Sequence, residues 1–284
     1  GGYILRVDGS GELRIVAGTG SYAIFDWCGW YEEIVNCGDG GPAVEAQFFD
    51  PVAIALGPDR AVYVFDGVIR RIGPNGTIET FAGIPDLDFD AGLELLFGVP
   101  ARESGLVWRG RTPMRFGPDG SLYTILGYAA SWGSHVIVRI TPSGIIEKVA
   151  GNPDHGSSFV PALDGTNVAD HPAYYEDLYP AADGSIFVLQ SDSYGYTSAV
   201  RRISPAGWIQ TIAGGFRPAD PWPFGPSGCS DPLDCPQFSG DTGPARNASL
   251  WYPNSLAVTP DGDIVVVDTG NSRIRRIEPV LPGY

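Results

Sequence analysis

Basic residues are scarce in this chain. Lys and Arg total 18 of 284 residues against 33 Asp and Glu, so the formal net charge is −15 at pH 7 and the pI is about 4.4. Binding to a nucleic-acid backbone needs a basic stripe, whereas these arginines mostly occupy repeated positions. We therefore expect no nucleic-acid partner, and an acidic surface that favours cationic partners or metal ions.

Long apolar runs are also missing. No stretch is long enough to cross a bilayer, so no membrane span is predicted. The chain opens Gly1-Gly2 with neither Met nor a signal peptide, and we expect a mature chain, a proteolytic product or an excised domain.

Short catalytic motifs are absent as well. The three histidines, His135, His155 and His171, show no pair at metal-ligand spacing. The sequence has no Gly-x-Ser-x-Gly elbow and no phosphate loop. These absences favour a binding protein over an enzyme.

The four cysteines fall into two close pairs. Cys28 and Cys37 share one long segment between repeats, and Cys229 and Cys235 share another. We predict two local disulfides that staple these segments in an oxidising compartment. Free thiols or a metal site are the alternatives, although neither spacing is C-x-x-C.

A short phrase recurs along the chain. It joins an Arg-Ile or Arg-Val pair to an Ala-Gly ending, and the closing glycines are Gly18, Gly83, Gly151 and Gly214. Ahead of each later copy stands a second phrase with a turn, such as Pro58-Asp59 or Pro260-Asp261-Gly262, and a β-rich run. Each unit therefore contains four short strands, A to D, separated by turns.

Four-stranded antiparallel units repeated along a chain are typical of propeller blades. The predicted fold is an all-β propeller forming a single domain over residues 1–279, with a flat sandwich as the alternative. Strands C and D of one unit occupy 1–18, and four blades cover 19–83, 84–151, 152–214 and 215–279, before an exit linker, 280–284. Strand C is predicted at five places: 3–7, 68–72, 136–140, 199–203 and 273–277.

The repeats resemble the NHL repeat family. The resemblance rests on Gly-Asp-Gly-Gly-Pro-Ala (38–43), Asp-Thr-Gly-Asn-Ser-Arg-Ile-Arg-Arg-Ile (268–277) and the Thr-Ile-Ala-Gly endings. The ending 274–284 is similar to the junction in teneurins and bacterial YD-repeat (Rhs-type) proteins, where an NHL propeller precedes a large β-shell. The resemblance implies about four to six blades, with some upstream of Gly1, in a secreted or cell-surface protein.

The long segments all leave the same end of the predicted blades. Tight turns join A to B and C to D, whereas the B–C loops and the D-to-A crossovers carry the long insertions. Binding residues concentrate on loops held by a rigid scaffold, and aromatic residues dominate binding hot spots. Our candidates for partner contact are the aromatic residues Trp27, Trp30, Tyr31, Tyr174, Tyr175, Tyr194, Tyr196 and Trp222. Packing of these loops onto the blades is the alternative role.

Repeated charged residues allow two interpretations. Asp39 and Asp241 recur in a Gly-Asp-x-Gly-Pro loop, where a carboxylate either fixes a turn or contributes to a calcium site. The arginine pairs of strand C either share an architectural task, with Asp66 and Asp268 as partners, or form an anion-binding ring.

These observations predict a non-catalytic extracellular binding or scaffold propeller. It would recognise a protein or a glycan through its loop-rich face, with self-association possible and no cofactor other than possible calcium. The alternative is a metal-dependent propeller enzyme, a lyase or a lactone hydrolase, with His135, His155, His171, Asp39 and Asp241 as candidate ligands.

Overall fold

The computed structural model describes residues 2–20, 38–84, 95–106, 112–127, 135–152, 162–191, 198–215 and 238–278. These residues form antiparallel β-strands joined by turns and four short 3-10 segments, 43–45, 101–103, 245–247 and 269–271. Within these ranges, no helix has the length and apolarity needed to cross a membrane.

Eighteen strands are defined in the described part of the chain. A leading hairpin is made of β1 (Ile4–Val7) and β2 (Leu13–Ala17). The first blade contains β3 (Ala53–Leu56), β4 (Val62–Asp66), β5 (Val68–Ile72) and β6 (Ile78–Ala82). The second contains β7 (Val99–Pro100), β8 (Met114–Phe116), β9 (Leu122–Gly127), β10 (His135–Ile140) and β11 (Ile145–Gly151). The third contains β12 (Tyr174–Pro180), β13 (Ile186–Ser191), β14 (Ser198–Ile203) and β15 (Ile209–Gly214). The fourth contains β16 (Pro253–Val258), β17 (Ile264–Asp268) and β18 (Arg273–Ile277).

Each blade is an antiparallel meander in chain order. The sheet orders are β3-β4-β5-β6, β8-β9-β10-β11, β12-β13-β14-β15 and β16-β17-β18. The second blade gains the short outer strand β7 beside β11, which the repeat does not predict. The fold is thus the all-β propeller of NHL-type blades that the repeats predict, and strand C lies where expected in all five copies.

The turns between A and B and between C and D are short. Gly120, Gly184 and Gly262 close A–B turns with φ of 75°, 78° and 90°. The equivalent residue of the first blade is Arg60, which adopts φ 65° without the freedom of glycine.

The backbone geometry explains why the repeats end in Ala-Gly. Gly151 has φ 100°, and a Cβ there would stand 2.3 Å from the carbonyl oxygen of His135. Gly18 and Gly214 have the same relation to the start of strand C, at 2.3 Å from Gly2 O and 2.5 Å from Ser198 O. At Gly18, Gly151 and Gly214, the end of strand D therefore needs glycine both for its positive φ and for the close approach of a neighbouring backbone.

The chain divides into two compact units. One contains 1–129 and 138–148, and the other contains 130–137 and 149–284, so that β10 and β11 contribute residues to both. In the first unit, Ile4 and Ala17 of the leading hairpin share a buried cluster with Val64, Ile72 and Ile78 of the first blade. In the second, Leu189 and Val200 of the third blade pack with Leu256, Ile264 and Val266 of the fourth. Within each unit, neighbouring sheets are therefore held together face to face by apolar side chains.

The other face of the leading hairpin is exposed. Four apolar side chains of this hairpin are exposed to solvent: Leu5, Val7, Leu13 and Ile15. In the first blade, Ile72 and Ile78 occupy the positions of Val7 and Leu13, and there both side chains are buried. The expectation of further blades upstream stays a prediction.

Candidate functional site

A buried arginine holds the crossover of the first blade against its strand C. Arg70 lies on β5, and its Nε and Nη2 donate to Asp39 Oδ1 at 3.0 and 2.6 Å. Thr80 Oγ1 on β6 donates to the other carboxylate oxygen of Asp39 at 2.7 Å. Arg70 Nη1 also donates to Gln47 O at 2.8 Å. One side chain of the crossover is thereby tied to two strands of the blade.

The fourth blade repeats this cluster. Arg275 Nε and Nη2 donate to Asp241 Oδ1 at 3.0 and 2.7 Å, and its Nη1 lies 3.3 Å from Asp268 Oδ2. Its guanidinium also donates to the carbonyl oxygens of Ser249 and Ser239. Asp268 is therefore a partner of the strand-C arginine, as expected from the sequence.

The third blade contains a modified cluster. Arg201 Nη2 donates to Asp164 Oδ1 at 3.1 Å, and Thr211 donates to the same oxygen through N–H and Oγ1. The strand-B position of Asp66 and Asp268 holds Gln190, whose Oε1 accepts from Arg201 Nη1 at 3.1 Å.

The second blade replaces all the cluster's polar members together. Phe97 precedes the positive-φ Gly98 as Asp39 precedes Gly40, and Val138 and Leu126 occupy the positions of Arg70 and Asp66. Val138 and Leu126 are fully buried, and Lys148, at the Thr80 position, lies 5.9 Å from the Phe97 ring. Apolar residues thus stand at the positions of Asp39, Arg70 and Asp66, and the charged side chain among these four positions is Lys148.

A second arginine of strand C pairs with the A–B turn. Arg71 Nη2 lies 2.7 Å from Asp59, Arg202 Nη2 lies 2.6 Å from Asp183, and Arg276 Nε lies 2.7 Å from Asp263. Burial alone would raise the pKa of Asp183, but hydrogen bonds from Ser185 and the Arg202 guanidinium lower it to about 2. This carboxylate therefore stays ionised and fixes the turn.

These contacts give Asp39 and Asp241 a structural use. Each carboxylate is bound by a guanidinium, which already supplies the positive charge that a metal ion would bring. Among the described residues, no three His, Cys, Asp or Glu side chains lie close enough together to hold a metal ion. The calcium expectation for Asp39 and Asp241 stays a prediction.

His135 begins strand β10 and packs against the third blade. Its Nδ1 lies 3.0 Å from Tyr175 N and 2.8 Å from Tyr175 O, and its ring meets Tyr174 edge-on at 5.6 Å. Burial lowers the pKa of His135, and the hydrogen bond with the Tyr175 backbone partly offsets this. His171 Nδ1 lies 2.9 Å from Pro172 O. Both imidazoles thus contact the main chain.

Tyr174 and Tyr175 belong to strand β12 and not to the crossover before it. Tyr174 is half-buried, whereas Tyr175 is 1% exposed. Tyr175 therefore does not lie on an accessible surface, because the alternation of a strand turns its side chain into the blade.

The remaining candidates lie outside the described residues. They are Trp27, Trp30, Tyr31, Tyr194, Tyr196, Trp222, His155 and the four cysteines Cys28, Cys37, Cys229 and Cys235. Their roles in partner contact, metal binding and disulfide formation stay predictions.

Sequence reasoning missed Asp164 and Gln190. Asp164 stands in Leu-Asp-Gly-Thr, which lacks the Gly-Pro that marks Asp39 and Asp241. The signal that could have found it is the Asp-Gly pair itself, because Gly165 N–H donates to Ile209 O as Gly40 N–H donates to Ile78 O.

Comparison with known proteins agrees with this geometry. A family model described as the Teneurin NHL domain matches residues 5–278. Teneurin-4 of Homo sapiens is 32% identical over 278 residues, which cover 95% of this chain and 9% of that protein. Teneurin-m of Drosophila melanogaster is 28% identical over 258 residues, covering 87% of this chain and 8% of that protein. A solved protein of unknown function from Bacteroides thetaiotaomicron aligns with a TM-score of 0.51 at 16% identity, over 79% of this chain and 46% of that one, which shows similarity of fold.

Proposed function

Because the chain belongs to the teneurin NHL domain family, we propose that it is a non-catalytic binding or scaffold propeller of a larger extracellular or cell-surface protein. Its partner would be a protein, a glycan or a second copy of the chain. The chain spans 9% of the length of the human Teneurin-4 that it matches, so the activity of the whole protein lies beyond this proposal.

The observation that carries the proposal is the use of the repeated charged residues inside the blades. Asp39, Asp164 and Asp241 are each bound by a strand-C arginine of their own blade. The crossovers are thereby anchored at their described ends. An anchored loop loses little conformational entropy when it binds, which favours recognition by the aromatic residues farther along it.

The test compares aromatic residues at the two ends of the blades. The variant Trp27→Ser/Trp30→Ser/Tyr31→Ser changes a long crossover, and Trp208→Ser changes an exposed aromatic residue in a C–D turn. Each purified protein is measured for self-association by sedimentation and for binding to a glycan array. We expect the crossover variant to lose whichever interaction the wild type shows, and Trp208→Ser to keep it.

Two results would overturn the proposal. One is loss of binding in Trp208→Ser with retention in the crossover variant. The other is turnover of a lactone or a uronate-containing glycan by the wild type that disappears with its metal, because this would favour the enzyme alternative.

A further inference from the structure

The fourth blade has an open outer edge in the described part of the chain. Its sheet ends at strand C, β18, whereas a strand D lies beyond strand C in each of the other three blades. Ile274 of β18 is 75% exposed, although Ile69 and Val200, which occupy its position in the first and third blades, are fully buried. An edge strand presents unpaired main-chain groups, and this one also presents an apolar side chain.

The crossover of the fourth blade approaches the same place from the other side. In the first blade, Gly40 N–H and Ala43 N–H donate to carbonyl oxygens of 76–78 at 2.7 and 2.8 Å, and the next two blades repeat both bonds. Thr242 and Ala245 stand at these two positions of the fourth crossover. Among the described residues, none accepts a hydrogen bond from either N–H. Strand β18 and residues 242–245 therefore border a strand position, the D position, that no described residue occupies.

The carboxylate of Asp241 lacks the contact that a strand D provides. In the first blade, Thr80 on β6 donates to Asp39 Oδ2 at 2.7 Å. Asp241 binds the strand-C arginine through Oδ1, but no described residue donates to its Oδ2. The Asp241 side chain is 53% exposed, against 12% for Asp39. A hydroxyl group in the D position would find its acceptor here.

An exposed arginine beside the D position favours an acidic residue. Arg276 occupies the position of Arg71, whose Nη1 lies 3.1 Å from Glu79 on β6. Both arginines contact the carboxylate of their A–B turn, which is Asp263 in the fourth blade. The side chain of Arg276 is 64% exposed, against 28% for Arg71, and its contact with the exposed Glu278 is long, at 3.9 Å. A carboxylate opposite Arg276 would add a cross-strand pair of opposite charges.

Strand β2 of a second copy does not have this chemistry. It carries Arg14 and Ile15 at the positions of the acidic residue and the hydroxyl residue of β6. Arg14 would stand beside Arg276 as a like charge, which is destabilising, and Ile15 cannot donate to Asp241. The D position is therefore suited to a different protein.

We propose that the fourth blade binds an extended segment of a partner protein as an added strand, antiparallel to β18. The segment places a Ser or Thr opposite Arg275 and an acidic residue opposite Arg276, as β6 places its residues opposite Arg70 and Arg71. Strand addition gains affinity from main-chain hydrogen bonds and specificity from alternate side chains. This surface differs from the aromatic residues of the proposed function and does not depend on them.

The first test titrates the protein with a labelled peptide of residues 76–83, Gly-Thr-Ile-Glu-Thr-Phe-Ala-Gly, which reproduces β6. Fluorescence polarisation should show saturable binding with a Kd on the order of 1 mM or below. The same peptide with Glu79→Lys should bind about fivefold more weakly, because an attraction becomes a repulsion. In the protein, Arg276→Glu should reverse this preference. Arg71→Gln, at the matched position of the first blade, should leave both affinities unchanged.

The second test locates the peptide on the wild-type protein by hydrogen exchange. Binding should slow exchange of the amides in 242–245 and 273–277, because both borders of the D position become hydrogen-bonded. Ile274→Ser should weaken binding about tenfold or more by removing apolar contact. Ile54→Ser, which changes a side chain 55% exposed on β3, should bind as the wild type does.

Three results would overturn the proposal: no saturable binding, protection confined to other segments, or a charge preference that Arg276→Glu does not reverse. A wild-type dimer that Ile274→Ser dissociates would assign the edge to a second copy and would also overturn it.

Discussion

Thr242 shows how a single residue can depart from its repeat at a cost in backbone energy. It follows Asp241 where Gly40 and Gly165 follow Asp39 and Asp164, and it adopts φ 66°. Positive φ is a true outlier for a β-branched residue and costs about 1–2 kcal/mol. The strain is accepted because the chain must reverse here to bring Asp241 onto Arg275.

We predict that Thr242→Gly stabilises the protein. Relief of the positive φ should outweigh the greater freedom of glycine in the unfolded chain, for a net gain of roughly 0.5–1 kcal/mol in the free energy of unfolding. Urea denaturation measures it. The reverse change, Gly165→Thr, should destabilise by a similar amount, and a loss of stability in Thr242→Gly would mean that the threonine side chain has a role in the fold.

His135 makes stability depend on pH. Its folded pKa lies below the ordinary 6.5 because the imidazole is buried, so the neutral ring stabilises the fold above pH 6.5. That contribution is lost as pH falls below 6.5 and through the folded pKa, because the unfolded chain takes up the proton first.

The variant His135→Asn keeps a hydrogen-bonding group for the Tyr175 backbone and cannot titrate. The melting temperature of the wild type should fall more steeply than that of the variant between about pH 6.5 and pH 5. Parallel pH profiles for the two proteins would contradict the burial argument.

At the scale of the strand, the closing glycines Gly18, Gly151 and Gly214 are tightly constrained by a neighbouring backbone. Gly151 combines φ 100° with a backbone oxygen that would lie 2.3 Å from an added Cβ, whereas Gly144 has φ 81° and open space. We predict that Gly151→Ala costs about 3 kcal/mol, because overpacking adds to the left-handed strain when β10 and β11 separate to admit a methyl group. Gly144→Ala should cost only about 0.5–1 kcal/mol, because the strain of the left-handed conformation is partly offset by the smaller freedom of alanine in the unfolded chain. Chemical denaturation of both variants compares them, and equal losses would show that crowding is not the reason for the repeated glycine.

Some strands can be predicted from the sequence and others cannot. It predicts strand C within a residue in all five copies, because apolar runs and turn residues are local signals. It does not predict β7, since two residues of an edge strand carry no period. The interpretation of Tyr175 as a binding-face residue is wrong, because strand β12 begins at Tyr174 and its alternation turns the Tyr175 side chain into the blade.

The partner of each buried arginine can be predicted only in part. Asp268 is expected from its place at the end of strand B, and it contacts Arg275. The carboxylates of the crossover are distant in sequence, with 31 residues separating Asp39 from Arg70. Contacts between residues so far apart in sequence follow from the fold and not from a local pattern. For the same reason, the sequence does not predict that Phe97, Val138 and Leu126 stand together at the positions of Asp39, Arg70 and Asp66.

At the scale of the whole molecule, we predict that the protein needs no metal for its stability. The guanidinium groups of Arg70 and Arg275 occupy the positions at which a cation would bind Asp39 and Asp241. Elemental analysis of purified protein should therefore find no stoichiometric zinc or calcium, and a chelator should leave the melting temperature unchanged. Stoichiometric metal that is lost in His135→Asn or His171→Asn would support the enzyme alternative.

The repeated Asp and Arg residues serve the architecture of the blades. The pair in the first blade should therefore be exchangeable for the pair that the second blade already contains. Asp39→Phe alone leaves Arg70 buried without its carboxylate and should cost about 3–5 kcal/mol. Exposed pairs are weak, so Arg102→Gln, which removes a 3.5 Å contact with Glu79, is the control and should change stability by less than about 0.5 kcal/mol.

The decisive measurement is the free energy of unfolding of Asp39→Phe/Arg70→Val set against the two single variants. The double variant should regain at least half of the stability lost in Asp39→Phe, with a coupling energy of about 1–3 kcal/mol. The architectural role would be contradicted if the stability losses of the two single variants simply added in the double variant. It would also be contradicted if the double variant kept full stability but lost partner binding.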